Sequence, residues 1–245
     1  MTNINLHDLT IIVDGEAPQL LNDNSTKVSS PLFDTVEVIF RNQENRLLEL
    51  IKAFEKGAIF GCVAWLTSTP ILKALQKCKN VQIVVQKEDF LRPDIDTNNV
   101  DKWKSDLWQL YSAVKCKIER HQFRKPMGNL SVCGDPTVDG IRCVGNHNFE
   151  KKPAFPRAHH KFLVFCNINQ TEDATSYTPV ALWTGSFNLT KNATNSFENV
   201  LYFADCSGNN EIINAFLNEH HQIFALSEPL NWNEVWSAPE FRIGT

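Results

Sequence analysis

A chain of 245 residues, 42% hydrophobic and 21% charged, has the composition of a folded globular protein large enough for one big domain or two small ones. Its net charge of −4 argues against a protein that coats nucleic acid non-specifically, and no apolar stretch approaches the roughly 20 residues a membrane helix needs. The opening MTNINLHDLTIIVDGE lacks the basic-then-apolar pattern of a secretory signal, so the expectation is a cytoplasmic protein with no stable membrane association.

In chain order, residues 1–35 hold one short apolar run, LTIIV, and then a polar stretch ending NSTKVSSP. They read as an edge strand or hairpin followed by a loop. Regular structure is expected to begin at DTVEVIF, a strand by its β-branched alternation. NQENRLLELIKAFEKG follows as a helix, with Leu47, Leu48, Ile51 and Phe54 on one face and Gly57 at its end. AIFGCVAWL reads as a buried strand. STPILKALQKCKN reads as a helix with Thr69 as N-cap and Pro70 at the first helical position. VQIVVQ is the next strand, and Trp103, Leu107, Leu110 and Val114 mark a further amphipathic helix whose apolar residues are assigned to the core. This alternation predicts an α/β fold, a mixed, largely parallel sheet with helices on both faces. Residues 36–245 are expected to form one domain.

From Lys125 to Pro156 the periodicity dissolves, and a stretch this long is expected to be a lid, a binding loop or an extra hairpin. Lys115 to Lys161 carries ten Lys/Arg against four acids, a net +6 that leaves −10 for the rest of the chain. A local basic region on an acidic protein points to a focused anion site, with a solvated basic loop as the bland alternative. The seven cysteines, an odd number with no CxxC, read as thiols rather than a disulfide framework. Cys133, Cys143 and His147 share one loop, but their spacing fits no zinc ribbon or finger, and neither metal nor cofactor is expected.

The chemistry-bearing segment is RAHHKFLVFC, starting at Arg157. In a strand, His159 and Lys161 project from one face and His160 from the other. An imidazole beside a fixed positive charge is suited to holding and attacking an anion. His160 is assigned to packing or hydrogen bonding on the opposite face. A polar insertion, NINQTEDATSYTP, precedes the strand VALWTG and then GSFNLTKNATNSFENVLYF. Gly185 allows a tight turn, and Ser186 and Asn188 offer short hydrogen-bonding side chains suited to phosphate oxygens. Glu198 is placed to accept an imidazole N–H and fix its tautomer. The tail NWNEVWSAPEF is expected to pack on the core.

In this order the set resembles the phospholipase D superfamily, whose motif runs H-x-K-x4-D, then G-S-x-N and a downstream Glu-Asn. Here the matching residues are His159, Lys161, Gly185, Ser186, Asn188, Glu198 and Asn199. The flanking strand–helix–strand unit and final helix resemble the short, single-motif bacterial nucleases, over roughly residues 36–224. Two departures stand out: Cys166 occupies the motif aspartate position, and the insertion after it lengthens the path from Lys161 to Ser186. The insertion is expected to form a surface hairpin.

The resemblance implies a phospholipase D-like catalytic domain at 36–245 and a metal-independent phosphodiesterase working through a phosphohistidine. Its catalytic residues would be His159, Lys161, Ser186, Asn188 and Glu198, with Arg157 and Lys152 joining Lys161, Ser186 and Asn188 in substrate binding. With one motif per chain, it further implies a homodimer whose subunits share the site. The favoured reading is an endonuclease acting on DNA or RNA. A phospholipase or other phosphodiesterase is the enzymatic alternative, and a catalytically impaired nucleic-acid- or partner-binding protein is the other.

Overall fold

The structure, a computed structural model, describes residues 4–12, 17–87, 102–116, 121–122, 131–132, 139–145, 157–170 and 175–230. Its first half runs β1 (Thr10–Ile11), β2 (Gln19–Leu20), β3 (Thr26–Ser30), β4 (Phe33–Ile39), α1 (Gln43–Ala53), β5 (Ala58–Val63), α2 (Thr69–Leu75), β6 (Asn80–Gln86) and α3 (Lys102–Ser112). Then follow β7 (His121–Gln122), β8 (Ser131–Val132), β9 (Ile141–Val144), β10 (Lys161–Gln170), β11 (Thr175–Gly185), β12 (Val200–Ala204), α4 (Glu211–Leu226) and β13 (Glu228–Pro229).

Among the described residues nine strands form one sheet in the order β13-β9-β6-β5-β10-β11-β12-β4-β3, and the pairs β1–β2 and β7–β8 stand as separate ladders. The alternation of strands and helices correctly signals a mixed α/β sheet, but its largely parallel character is corrected here. Among the described residues only β5–β6 and β6–β9 run parallel, and every other pair in this sheet is antiparallel. The expected β-α-β unit from β4 through α1 to β5 exists, and the two strands point the same way. The antiparallel run β10–β11–β12 lies between them. Nothing local to β4 and β5 announces that strands more than 100 residues away will occupy the gap.

Alternation along the central strands divides the core in two. Ile59, Val63, Val81, Ile83, Leu163, Phe165 and Trp183 pack with the apolar faces of α1, α2 and α3. Phe60, Cys62, Val84, Phe162, Val164 and Cys166 pack with Ile213, Leu217 and Phe224 of α4. Helices therefore cover both faces, as continuously buried strands such as β5 and β6 require. α4 starts at Asn210, whose side-chain oxygen accepts from the main-chain N–H groups of Ile212 and Ile213.

Four local expectations are also revised. The NSTKVSSP stretch contains β3, an edge strand with almost every side chain exposed, so no apolar face marks it in sequence. The α2 cap is Ser68, one residue before the expected Thr69; its hydroxyl accepts from the Ile71 N–H at 3.4 Å. Trp103, assigned to the core, is 47% exposed, because the buried stripe of α3 runs through Leu107 and Tyr111. The aperiodic stretch from Lys125 contains β9, whose four residues add a parallel strand beside β6. Cys133, His147, Lys152 and the tail NWNEVWSAPEF lie outside the described residues. Cys143 is buried on β9, with its thiol directed to the Glu228 carbonyl.

Candidate active site

The sheet registers bring the motif to one edge. Lys161, first residue of β10, pairs with Val63, last of β5; Gly185, last of β11, pairs with Val200, first of β12; Val200 also pairs with Ile39 at the end of β4. The site thus lies off the carboxyl ends of the parallel strands β5 and β6, where the order switches to an antiparallel run, the crevice position at which α/β sheets hold ligands. The described residues of the NINQTEDATSYTP insertion extend the antiparallel pairing of β10 with β11 out to Gln170 and Thr175. The insertion therefore lengthens the chain path without displacing Ser186 from this edge.

His159 and Lys161 meet as the strand alternation predicts. Lys161 Nζ lies 3.0 Å from His159 Nδ1 and 3.2 Å from Nε2, and donates to the His159 carbonyl at 2.9 Å. The imidazole pKa is lowered, first by partial desolvation and then by the charges of Lys161, Arg157 and His160. Lys161 is lowered too, by desolvation, against which Glu198 acts as a favourable opposite charge. Arg157 therefore belongs to the site's field. His160 turns to the other face, its Nε2 3.6 Å from Glu219 of α4 and its ring edge-on to Phe162.

Ser186, Glu198 and Asn199 form a second knot. The Ser186 hydroxyl donates to Glu198 Oε2 and accepts from the Asn199 N–H at 3.0 Å, while the Ser186 N–H donates to the Asn199 carbonyl at 2.9 Å. A Cβ at Gly185 would run into that same carbonyl, so the close approach of the two loops requires glycine there. The hydrogen bond from Glu198 to an imidazole, expected from sequence, is not among those of the described residues; Ser186 takes the carboxylate instead. Asn188 lies in the same loop. With Trp65 and Glu198 it lines a cavity of about 360 Å³, and its buried side-chain oxygen has no hydrogen-bond partner among the described residues.

Three residues not picked out in sequence hold this arrangement. Gln43, 2% exposed at the start of α1, donates from Nε2 to the Glu198 carbonyl at 3.0 Å. Gln86, buried at the end of β6, accepts the Ala158 N–H at 2.6 Å and so fixes the backbone next to His159. Trp65 stands edge-on to the His159 ring, 6.4 Å between centroids at 89°. Each sits at or just past the end of a strand or at a helix start, the one positional signal that marked it in advance.

Cys166 is fully buried in the α4-side cluster. Five residues of strand put it roughly 16 Å from Lys161, on the opposite face, and burial pushes its thiol pKa up. The position of the missing motif aspartate therefore does not touch the site. Of the other described basic residues in the Lys115–Lys161 segment, Arg142 is committed elsewhere, donating to the Ser227 hydroxyl and carbonyl at 2.7 and 2.6 Å.

A histidine–lysine pair at the head of a central strand and a Gly-Ser-x-Asn turn with its downstream glutamate lie at the same edge of a helix-covered mixed sheet, in the chain order on which the phospholipase D resemblance rests. The chain belongs to the same family as uncharacterized protein L381 of Acanthamoeba polyphaga mimivirus, with 30% identity over 210 residues covering 81% of this chain and 68% of that protein. No family model matches the chain. Among solved structures it is similar to Nuc of Salmonella typhimurium, a phospholipase D family member (17% identity, TM-score 0.46, 79% of this chain and 95% of that one). It is also similar to NucT of Helicobacter pylori (13% identity, TM-score 0.44, 79% and 98%). A third likeness is to phosphatidylserine synthase of Haemophilus influenzae (14% identity, TM-score 0.42, 91% and 45%).

Proposed function

We propose that the chain is a phosphodiesterase that cleaves nucleic acid through a phosphohistidine on His159, in a site completed by a second copy of the chain. The observation that carries this reading is the His159 imidazole, held 3.0 Å from Lys161 Nζ in surroundings that favour its neutral, nucleophilic form. A ring nitrogen of His159 attacks phosphorus, the P–O bond to the leaving group breaks, and the departing oxygen takes a proton from the second copy's His159. Water then gives its proton to that second imidazole and attacks phosphorus, breaking the P–N bond and releasing a phosphomonoester. Lys161 and the Asn188 amide supply the donors for the non-bridging oxygens, and the Ser186 hydroxyl joins them by turning its one proton from Glu198 to the phosphate. Glu198, bonded to Ser186, holds that hydroxyl in place and keeps Lys161 charged. These groups supply the charge and protons of the reaction, and no resident metal or cofactor is part of the proposal.

A binding-only role is motivated by Cys166, but that side chain sits on the opposite face of β10 from His159 and Lys161. The basic charge at the mouth of the site, Arg157 with Lys161, favours an anionic polymer as substrate. The test is cleavage of end-labelled single- and double-stranded DNA and RNA in EDTA by wild type and His159→Ala. Cleavage that survives the chelator and disappears in the variant, with acid-sensitive label trapped on wild type alone, is expected. Cleavage retained by His159→Ala would overturn the mechanism.

A further inference from the structure

Resting on the reading above, we propose that the cavity beside His159 is a nucleobase subsite, so that the preferred substrate is single-stranded nucleic acid with one base turned into it. The cavity's character differs from that of the catalytic corner. Phosphate has its counter-charges at Lys161 and Arg157, whereas among the described residues the cavity wall contains no lysine or arginine. The one ionisable side chain among the described lining residues, Glu198, is engaged by Ser186. The wall is instead one indole, Trp65, with the uncharged hydrogen-bonding side chains of Thr67, Asn188, Asn192 and Ser196. Such a wall receives the neutral part of a phosphodiester.

Three features select a flat heterocycle. First, Trp65 lines the cavity and stands perpendicular to the His159 ring, 6.4 Å between centroids, so a group attached one sugar away from the phosphorus under attack reaches the indole. Stacking on an aromatic side chain is how unpaired bases are held. Second, Asn188 Oδ1 is buried with no hydrogen-bond partner among the described residues, an acceptor suited to an exocyclic or ring N–H. Third, the cavity is preformed. The Leu189 N–H donates to the Trp65 carbonyl at 3.0 Å, and the Thr67 and Ser68 N–H groups both donate to the Leu189 carbonyl at 2.9 Å. These bonds staple the segment that carries Trp65 to the loop that carries Asn188. A quaternary-ammonium headgroup is better matched by several aromatic faces than by one indole among amides and hydroxyls. A base paired and stacked in a duplex has to be extruded to enter.

The experiment compares three substrates with the full chain. They are a labelled single-stranded oligonucleotide, the same strand with a central run of tetrahydrofuran abasic residues, and the duplex. Wild type should cleave the base-bearing strand about tenfold or more faster, in kcat/KM, than the abasic run or the duplex. Trp65→Ala should collapse the base-to-abasic ratio towards one, chiefly through KM, and Trp65→Phe should keep most of it. Equal cleavage of base-bearing and abasic strands by wild type would overturn the subsite while leaving the nuclease reading intact. An unchanged ratio in a folded Trp65→Ala would also overturn it. So would equal loss on every substrate together with loss of a dimer in sedimentation velocity, which would assign the cavity to a second copy. Failure of wild type to cleave any nucleic acid would sink both readings together.

Discussion

The two faces of β10, continued back through the two histidines that lead into it, meet different surroundings. On one, His159 and Lys161 open to solvent at the sheet edge before Leu163 and Phe165 descend into the core under α1–α3. On the other, His160 reaches α4, and Phe162, Val164 and Cys166 are sealed beneath it. Polar, charged groups at the strand's mouth work because the apolar residues behind them fix the strand; the chemistry and the packing are separated by pleat rather than by distance along the chain. The largest expected effect follows directly. His159→Ala should lower turnover on the order of 10³-fold or more, since the proposed mechanism makes this residue nucleophile in one copy and general acid in the other. Single-turnover cleavage would measure it, and a loss under tenfold would break the assignment of chemistry to this face.

The sealed face makes the opposite prediction for the residue that departs from the motif. Cys166→Asp restores the motif letter, but it places a carboxylate among Ala58, Phe60 and Val164 with no charge partner described there. Stability should fall by about 3 kcal/mol, read as a lowered denaturation midpoint, with no gain in cleavage by the fraction that remains folded. A variant as stable as wild type and more active would show that position 166 communicates with the site.

This contrast of faces was legible in sequence because it depends only on strand alternation, a local property of RAHHKFLVFC. The gathering of Ser186, Asn188 and Glu198 near His159 was legible through the motif order. What was not legible depended on pairings far apart in the chain. The β10–β12 meander inserts between β4 and β5, so a sheet that reads as parallel from its first half is mostly antiparallel. Glu198 could be placed at the site but not given its partner, because the loops joined at Gly185 and Asn199 decide that its carboxylate meets Ser186 before an imidazole. Trp65 was hidden by its company: it follows an apolar strand, and only the end of β5 after Val63 turns it from a core residue into a wall of the cavity.

The open face also carries a titration signature. Partial desolvation, then Lys161 and Arg157, hold the His159 pKa below the ordinary imidazole value. The neutral ring therefore persists to lower pH, and the acid limb of kcat/KM should fall below the usual histidine range. Lys161→Met removes one repulsive charge, so the ring's pKa should rise part of the way back, followed by NMR of the imidazole protons. Desolvation, the larger cause, would remain. A downward shift, or none, would mean the lysine charge is not felt at the ring.

The smallest effect should come from the histidine next door. His160 differs from His159 by one position, yet its contacts are a 3.6 Å approach to Glu219, both side chains 46% exposed, and an edge contact with Phe162. An ion pair that open to solvent contributes little. His160→Ala should therefore change turnover by no more than about twofold and stability by no more than about 0.5 kcal/mol. Its carbonyl, which accepts the Ala64 N–H at 2.8 Å and secures the entry to β10, is untouched by the substitution. Parallel cleavage and denaturation of the two alanine variants would test the strand register itself. Equal losses at 159 and 160 would mean that the alternation of β10 does not carry back through the two residues before it.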